Sequence, residues 1–277
     1  MIEQNTKYYN RLKKTDCYFF TDLWLMCSEY MKELPQLSDD FYFDALKQGG
    51  RNLTSRSQMT SYLGYWGRFY NFMYSYPFDD WDDYSFCKNQ EINIIDYGCG
   101  QAIWSMLYAY YINLCAYDQF VNTITLIEPS ELLLNRAALH ARVSFPFANI
   151  KTINKKLDDL EQNDIVCDDN IPTLHIFSDV LERKDFDMDR LVELVENSLK
   201  GKDQFLCVQL YFGNYQEDNR VREFASCFAD EYYYSSIPQK DMELICGDYP
   251  MLNGTKCIFS AFGDFDWRFR LRKVNGD

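Results

Sequence analysis

Between Ile92 and Ala102 the chain reads I-N-I-I-D-Y-G-C-G-Q-A. Ile92, Ile94 and Ile95 make a short β-branched run of the kind buried on both faces of a parallel sheet. Asp96 then stands at the strand's carboxyl end. Gly98 and Gly100 follow at a spacing that lets the backbone turn sharply and approach a ligand where a side chain would collide. The next segment, Ala102 to Leu114, reads as a helix. Strand, glycine turn and helix predict a site at the edge of an α/β sheet. The same residues also fit a tight strand-to-helix turn with no ligand.

A dinucleotide fingerprint wants a third glycine three residues on, where this chain has Ile103. The mismatch argues against NAD. Asp96 two residues before Gly98 makes the pattern D-x-G-x-G-x-A. A carboxylate aimed into the loop suits a cationic or amino-bearing ligand and repels a pyrophosphate.

Downstream, Thr123 to Glu128 reads as another β-branched strand ending in an acid, followed by Pro129, Ser130 and a helical run. An acid at the tip of a neighbouring strand can accept two hydrogen bonds from a ribose diol, which makes Glu128 the ribose candidate. The alternative is that Glu128 only favours the dipole of the helix that follows.

The chain keeps alternating: strands at Asn149–Asn154, Thr173–Ser178 and Gln204–Tyr211, with a helix at Arg190–Leu199. Alternation means a parallel sheet, and right-handed crossovers bring Asp96, Glu128 and Ser178 to one carboxyl edge. Beyond it come a helix at Arg220–Phe228, a strand near Met242–Cys246, the turn Leu252-Asn253-Gly254 and a strand at Lys256–Phe262. The Asn-Gly step reads as a hairpin turn.

Together these residues resemble class I S-adenosylmethionine-dependent methyltransferases, whose first motif has a third small residue where Ala102 stands. The resemblance spans roughly Glu91 to Phe262. It implies a Rossmann-like α/β fold, a seven-stranded mostly parallel sheet with a C-terminal antiparallel hairpin, preceded by an N-terminal helical cap. It further implies S-adenosylmethionine as cofactor, with Asp96, Gly98, Cys99 and Gly100 at the methionine portion and Glu128 at the ribose. The family's adenine-contacting acid falls on Asp158, beside Asp159, though both also fit a solvated helix start. H-I-F-S-D-V-L-E, His175 to Glu182, resembles the family's fourth-strand motif, which puts Ser178 and Asp179 near the transferred methyl. Asp179 and His175 are the candidate bases, and a lone His opening a buried strand also reads as purely structural. The Asn/Asp-Pro-Pro-aromatic motif of base-amino methylation and the Pro-Cys step of 5-methylcytosine enzymes are absent. The resemblance thus implies methyl transfer to a small-molecule or protein acceptor; the alternative is a methyltransferase-like interaction module in a larger assembly.

The formal charge of -14 points away from unaided binding to nucleic acid. A local exception, Trp267 to Lys273, alternates arginines with apolar residues and reads as a charge-protected edge strand or as an anion or nucleic-acid patch. Ten cysteines are dispersed without a C-x-x-C pair beside only two histidines, so no metal site is expected. With no signal-peptide pattern and no apolar run of membrane length, a cytoplasmic location with reduced thiols is expected. Residues 1–90 form a separate region from 91–277, with helices at Asp22–Leu34, Asp39–Lys47 and Ser57–Tyr74. Aromatics from Tyr62 to Trp81 crowd its end and read as core, as an acceptor pocket or as a protein-docking surface.

Overall fold

The computed structural model describes residues 8–14, 20–32, 53–73, 90–200, 203–211, 220–228, 233–241 and 256–263. The helix read at Asp39–Lys47, the aromatics from Tyr74 to Trp81, the strand read at Met242–Cys246, the turn at Asn253-Gly254 and the Trp267–Lys273 segment lie outside them.

The chain begins with helical residues 8–12, then α1 (Phe20–Lys32) and α2 (Arg56–Met73). From there strands and helices alternate: β1 (Glu91–Tyr97), α3 (Ile103–Leu114), β2 (Phe120–Ile127), α4 (Glu131–Ser144), β3 (Asn149–Ile153), β4 (Thr173–Ser178), α5 (Met188–Glu196), β5 (Asp203–Tyr211), α6 (Arg220–Cys227), β6 (Tyr233–Asp241) and β7 (Lys256–Gly263). The sheet order is β3-β2-β1-β4-β5-β7-β6. The first five strands are parallel, and β7 pairs antiparallel with β5 and β6. The strand order reverses between β1 and β4, and such a reversal opens a crevice at the carboxyl ends.

β1 is buried from Ile92 onward, because helices cover both faces of a parallel sheet. Pleating sorts its side chains by parity. Ile92, Ile94, Leu174, Ile176, Leu206 and Val208 join a core with α1 to α4. Ile95, Tyr97, Phe177, Phe205 and Cys207 face α5 and α6 across the sheet. On that second face Tyr97 stacks on Phe177 at 4.2 Å and Phe177 meets Phe224 at 4.8 Å, each pair contributing about 1 kcal/mol beyond its buried area. β3 is half-exposed, as an edge strand should be.

β6 lies in a stretch that the sequence leaves unassigned. Its serines and Pro238 break the alternation that marks a strand, and Pro238 falls where the pairing register shifts between Ile237 and Lys240. A proline without an N–H is tolerated at such a bulge on an edge strand. No described helix is long and apolar enough to cross a membrane.

Candidate functional site

Strand register builds the site. Tyr97 pairs with Ile127 on one side and Phe177 on the other, so Gly98, Glu128 and Ser178 leave the sheet side by side. They open onto a cavity of about 730 Å³.

Gly98 and Gly100 both adopt left-handed backbone, with φ of 62° and 53°. Their surroundings differ. A Cβ at Gly98 would lie 2.7 Å from Val180 Cγ2, whereas one at Gly100 would meet no atom within 4 Å. Gly98 is therefore a packing requirement, while Gly100 presents bare backbone to the cavity. The turn closes with Ala102 N–H donating to Cys99 O at 2.6 Å, and Cys99 N–H donates to Ile127 O at 2.9 Å. Ala102 itself sits at φ 59° at the head of α3, a conformation that costs a non-glycine residue about 1 kcal/mol.

Glu128 couples three elements. One carboxylate oxygen accepts Gly100 N–H at 3.1 Å and the other accepts Ser130 N–H at 2.9 Å. Ser130 in turn caps α4, its Oγ accepting Leu133 N–H. The Glu128 carboxyl is raised by burial, against which the two backbone donors work.

Asp96 does not line the cavity. It lies behind the glycine turn, fully buried, with Oδ2 accepting the Ser105 hydroxyl at 2.6 Å and Oδ1 without a hydrogen-bond partner. Burial raises its pKa to about 7, opposed by the Ser105 bond and reinforced by the Glu128 charge.

Gly98, Cys99, Gly100, Glu128, Asp158 and Ser178 line one cavity, and Asp179 joins them. Asp158 lies in a short 3-10 turn, Leu157–Asp159, and its Oδ1 accepts Asp187 N–H at the start of α5. Asp179 follows β4 at φ 50°, with Tyr70 Oη 3.5 Å from its Oδ2. Tyr70 Oη is 2.8 Å from Tyr62 Oη, so α2 lends two hydroxyls to the wall. Burial raises the Tyr62 phenol, which therefore stays protonated.

His175 is corrected as a base candidate. Its position on β4 has the parity of Phe177, so the ring points into the second face of the sheet and is fully buried away from the cavity. There it contacts Tyr97, Cys167 and Asp203.

Two contributors were not read from the sequence. Gln101 Nε2 donates to Met59 O at 3.2 Å, tying the glycine turn to α2. Arg183 lines the cavity, pairs with Asp185 at 2.8 Å and adds its positive charge to the field at Glu128. Neither sits in a periodic segment, so no sequence pattern marked them.

No protein-family model and no curated protein sequence matches the chain. Solved structures similar to it include an rRNA methylase from Streptococcus thermophilus, at 12% identity and TM-score 0.47 over 69% of this chain and 97% of that one. Another is a SAM-dependent methyltransferase from Leishmania major, at 11% identity and TM-score 0.47 over 80% of this chain and 82% of that one. A third is the YcgJ protein from Bacillus subtilis, at 16% identity and TM-score 0.41 over 67% of this chain and 96% of that one. What the site can do follows from its own residues.

Proposed function

We propose that this chain binds S-adenosylmethionine in the cavity at the carboxyl edge and transfers its methyl group to a small-molecule or protein acceptor. The observation that carries the reading is the joint between Gly100 and Glu128. Gly100 offers bare backbone with open space where a Cβ would stand, and Glu128 lines the same cavity. Each Glu128 oxygen accepts one backbone N–H and keeps a second lone pair, enough to accept from both hydroxyls of a ribose. Asp96 stays behind the turn, off the cavity, and braces α3 against it through the Ser105 hydroxyl.

When bound, S-adenosylmethionine supplies a methyl already activated on a sulfonium, so the protein's task is chiefly alignment. Tyr62, Tyr70 and Asp179 would shape the acceptor's place, and Asp179 would take a proton from an acceptor that carries one. Asp158 and Ser178 would line the adenine and sulfonium portions. A cytoplasmic location fits the free thiols among the described cysteines. The second reading, a cofactor-binding module that serves through protein contacts of its aromatic N-terminal region, predicts binding without turnover.

Calorimetric titration with S-adenosylmethionine tests the site. Saturable binding by the wild type and at least tenfold weaker binding by Glu128→Ala are expected; no binding by the wild type overturns the reading. Methyl incorporation from labelled cofactor into a cell extract then separates enzyme from module.

A further inference from the structure

At the opposite end of β4 from the cavity, three side chains of different chemistry meet in the core. Cys167 arrives from the segment before β4, His175 lies on β4 and Asp203 begins β5. All three are buried. His175 Nε2 lies 3.2 Å from Asp203 Oδ1 and 3.8 Å from Cys167 Sγ, and the three donor atoms lie within 4.8 Å of one another. We propose that Cys167, His175 and Asp203 form a binding site for one Zn²⁺ ion.

Two of the three donor separations match the ion. Zinc–ligand bonds of about 2.0 Å to nitrogen or oxygen and about 2.3 Å to sulfur, set at a tetrahedral angle, require an N···O separation of about 3.3 Å and an S···N separation of about 3.5 Å. The cluster stands at 3.2 and 3.8 Å, within a few tenths of an ångström of both values. A thiolate, an imidazole and a carboxylate are also the donor types that a borderline-soft divalent cation selects over magnesium or calcium.

The groups behind the donors are already in place. Tyr97 Oη lies 3.0 Å from His175 Nδ1, leaving Nε2 as the inward nitrogen. Lys200 N–H donates to Asp203 Oδ2 at 2.7 Å, which holds Oδ1 towards the cluster. Such outer contacts orient metal ligands and set the tautomer of a ligating histidine.

Charge gives the second argument. Asp203 brings a carboxylate into the core, and a buried carboxylate calls for a balancing partner. One Zn²⁺ bound by thiolate, carboxylate and neutral imidazole sums to zero. The ion would lie on the second face, away from the cavity, where its three protein ligands would tie the segment before β4 to β4 and β5.

The test uses the full chain, stripped with a chelator and free of any metal-binding tag. Titration with Co²⁺ should give one equivalent with a thiolate-to-cobalt charge-transfer band and tetrahedral d–d absorption, both displaced by Zn²⁺. Cys167→Ser should lose the charge-transfer band, and both Cys167→Ser and Asp203→Asn should weaken Zn²⁺ binding at least tenfold. Cys227→Ser, at an exposed cysteine, should change neither. No one-to-one uptake by the wild type, or an undiminished band in Cys167→Ser, overturns the site. Should Cys167→Ser fail to fold, the wild-type stoichiometry and Asp203→Asn still decide. None of these readouts involves S-adenosylmethionine, so the two proposals stand or fall separately.

Discussion

The two glycines of the turn look equivalent in the sequence, yet they are held by different forces. Gly98 is boxed in by Val180, so Gly98→Ala combines left-handed strain with a collision at 2.7 Å and should cost about 2–3 kcal/mol of stability. Gly100→Ala carries only the conformational strain, about 1 kcal/mol, because nothing stands in front of it. Ligand affinity should follow the reverse order: of the two variants, Gly100→Ala should lose more, since its methyl enters the cavity. Urea unfolding and calorimetry on the pair check both halves. Equal stability losses would mean that Val180 yields.

At the scale of elements, Glu128 is a clasp between the turn after β1 and the start of α4. Both partners are backbone donors, so a carboxylate can serve them together, whereas an amide must turn an N–H towards one of them. Glu128→Gln should therefore cost about 1–3 kcal/mol, the penalty for leaving a buried donor unmatched. Ser130→Ala removes only the cap of α4, and the 3.4 Å bond to Leu133 N–H places its cost near the low end of capping effects, about 0.5 kcal/mol. Thermal and urea unfolding of the two variants should rank them in that order. The sequence marked Glu128 as a strand-end acid and Ser130 as a helix start, but the bond from Gly100 joins residues far apart along the chain and needed the fold to appear. The unassigned β6 has a comparable cause. No local alternation marks a strand through Pro238, while pairing with β7 and a register shift accommodate it.

Across the whole molecule, the N-terminal helices share one core with α3, α4 and a face of the sheet. Polar ties cross that core. Tyr8 Oη lies 2.8 Å from His140 Nε2, His140 Nδ1 meets Gln101 O at 2.7 Å, and the Arg136 guanidinium sits 3.6 Å over the Tyr8 ring. Burial lowers the His140 pKa from 6.5 to about 3, reinforced by Arg136 and opposed by the Gln101 carbonyl. The unfolded chain therefore binds a proton that the folded one refuses between pH 6.5 and 3, so this group's contribution rises with pH through that window. Asp96 has the opposite sign. Its pKa rises from 3.8 to about 7 on folding, so the folded chain retains a proton that the unfolded one releases, and its contribution falls as pH climbs between those values. The two should largely offset in the wild type. Asp96→Asn should unmask a stability that rises between about pH 3 and 6.5, and His140→Gln one that falls between about 3.8 and 7, in urea unfolding at stepped pH. A profile that either variant leaves unchanged would show that its group is not buried in this way.

By itself the sequence determined the parallel core and the carboxyl edge at which its cavity opens. β-Branched runs, a glycine turn and strand-end acids are local signals, set by backbone sterics and by side chains a few residues apart. Tertiary structure alone decided which of those residues face one another. Parity on β4 sent Ser178 towards the cavity and His175 into the opposite face, where pairing with β5 set it against Asp203. Cys167 arrived there from a segment with no regular period, and Asp96 withdrew behind the turn onto Ser105. These outcomes depend on contacts between segments that chain distance does not constrain, so they exist only once the sheet has formed.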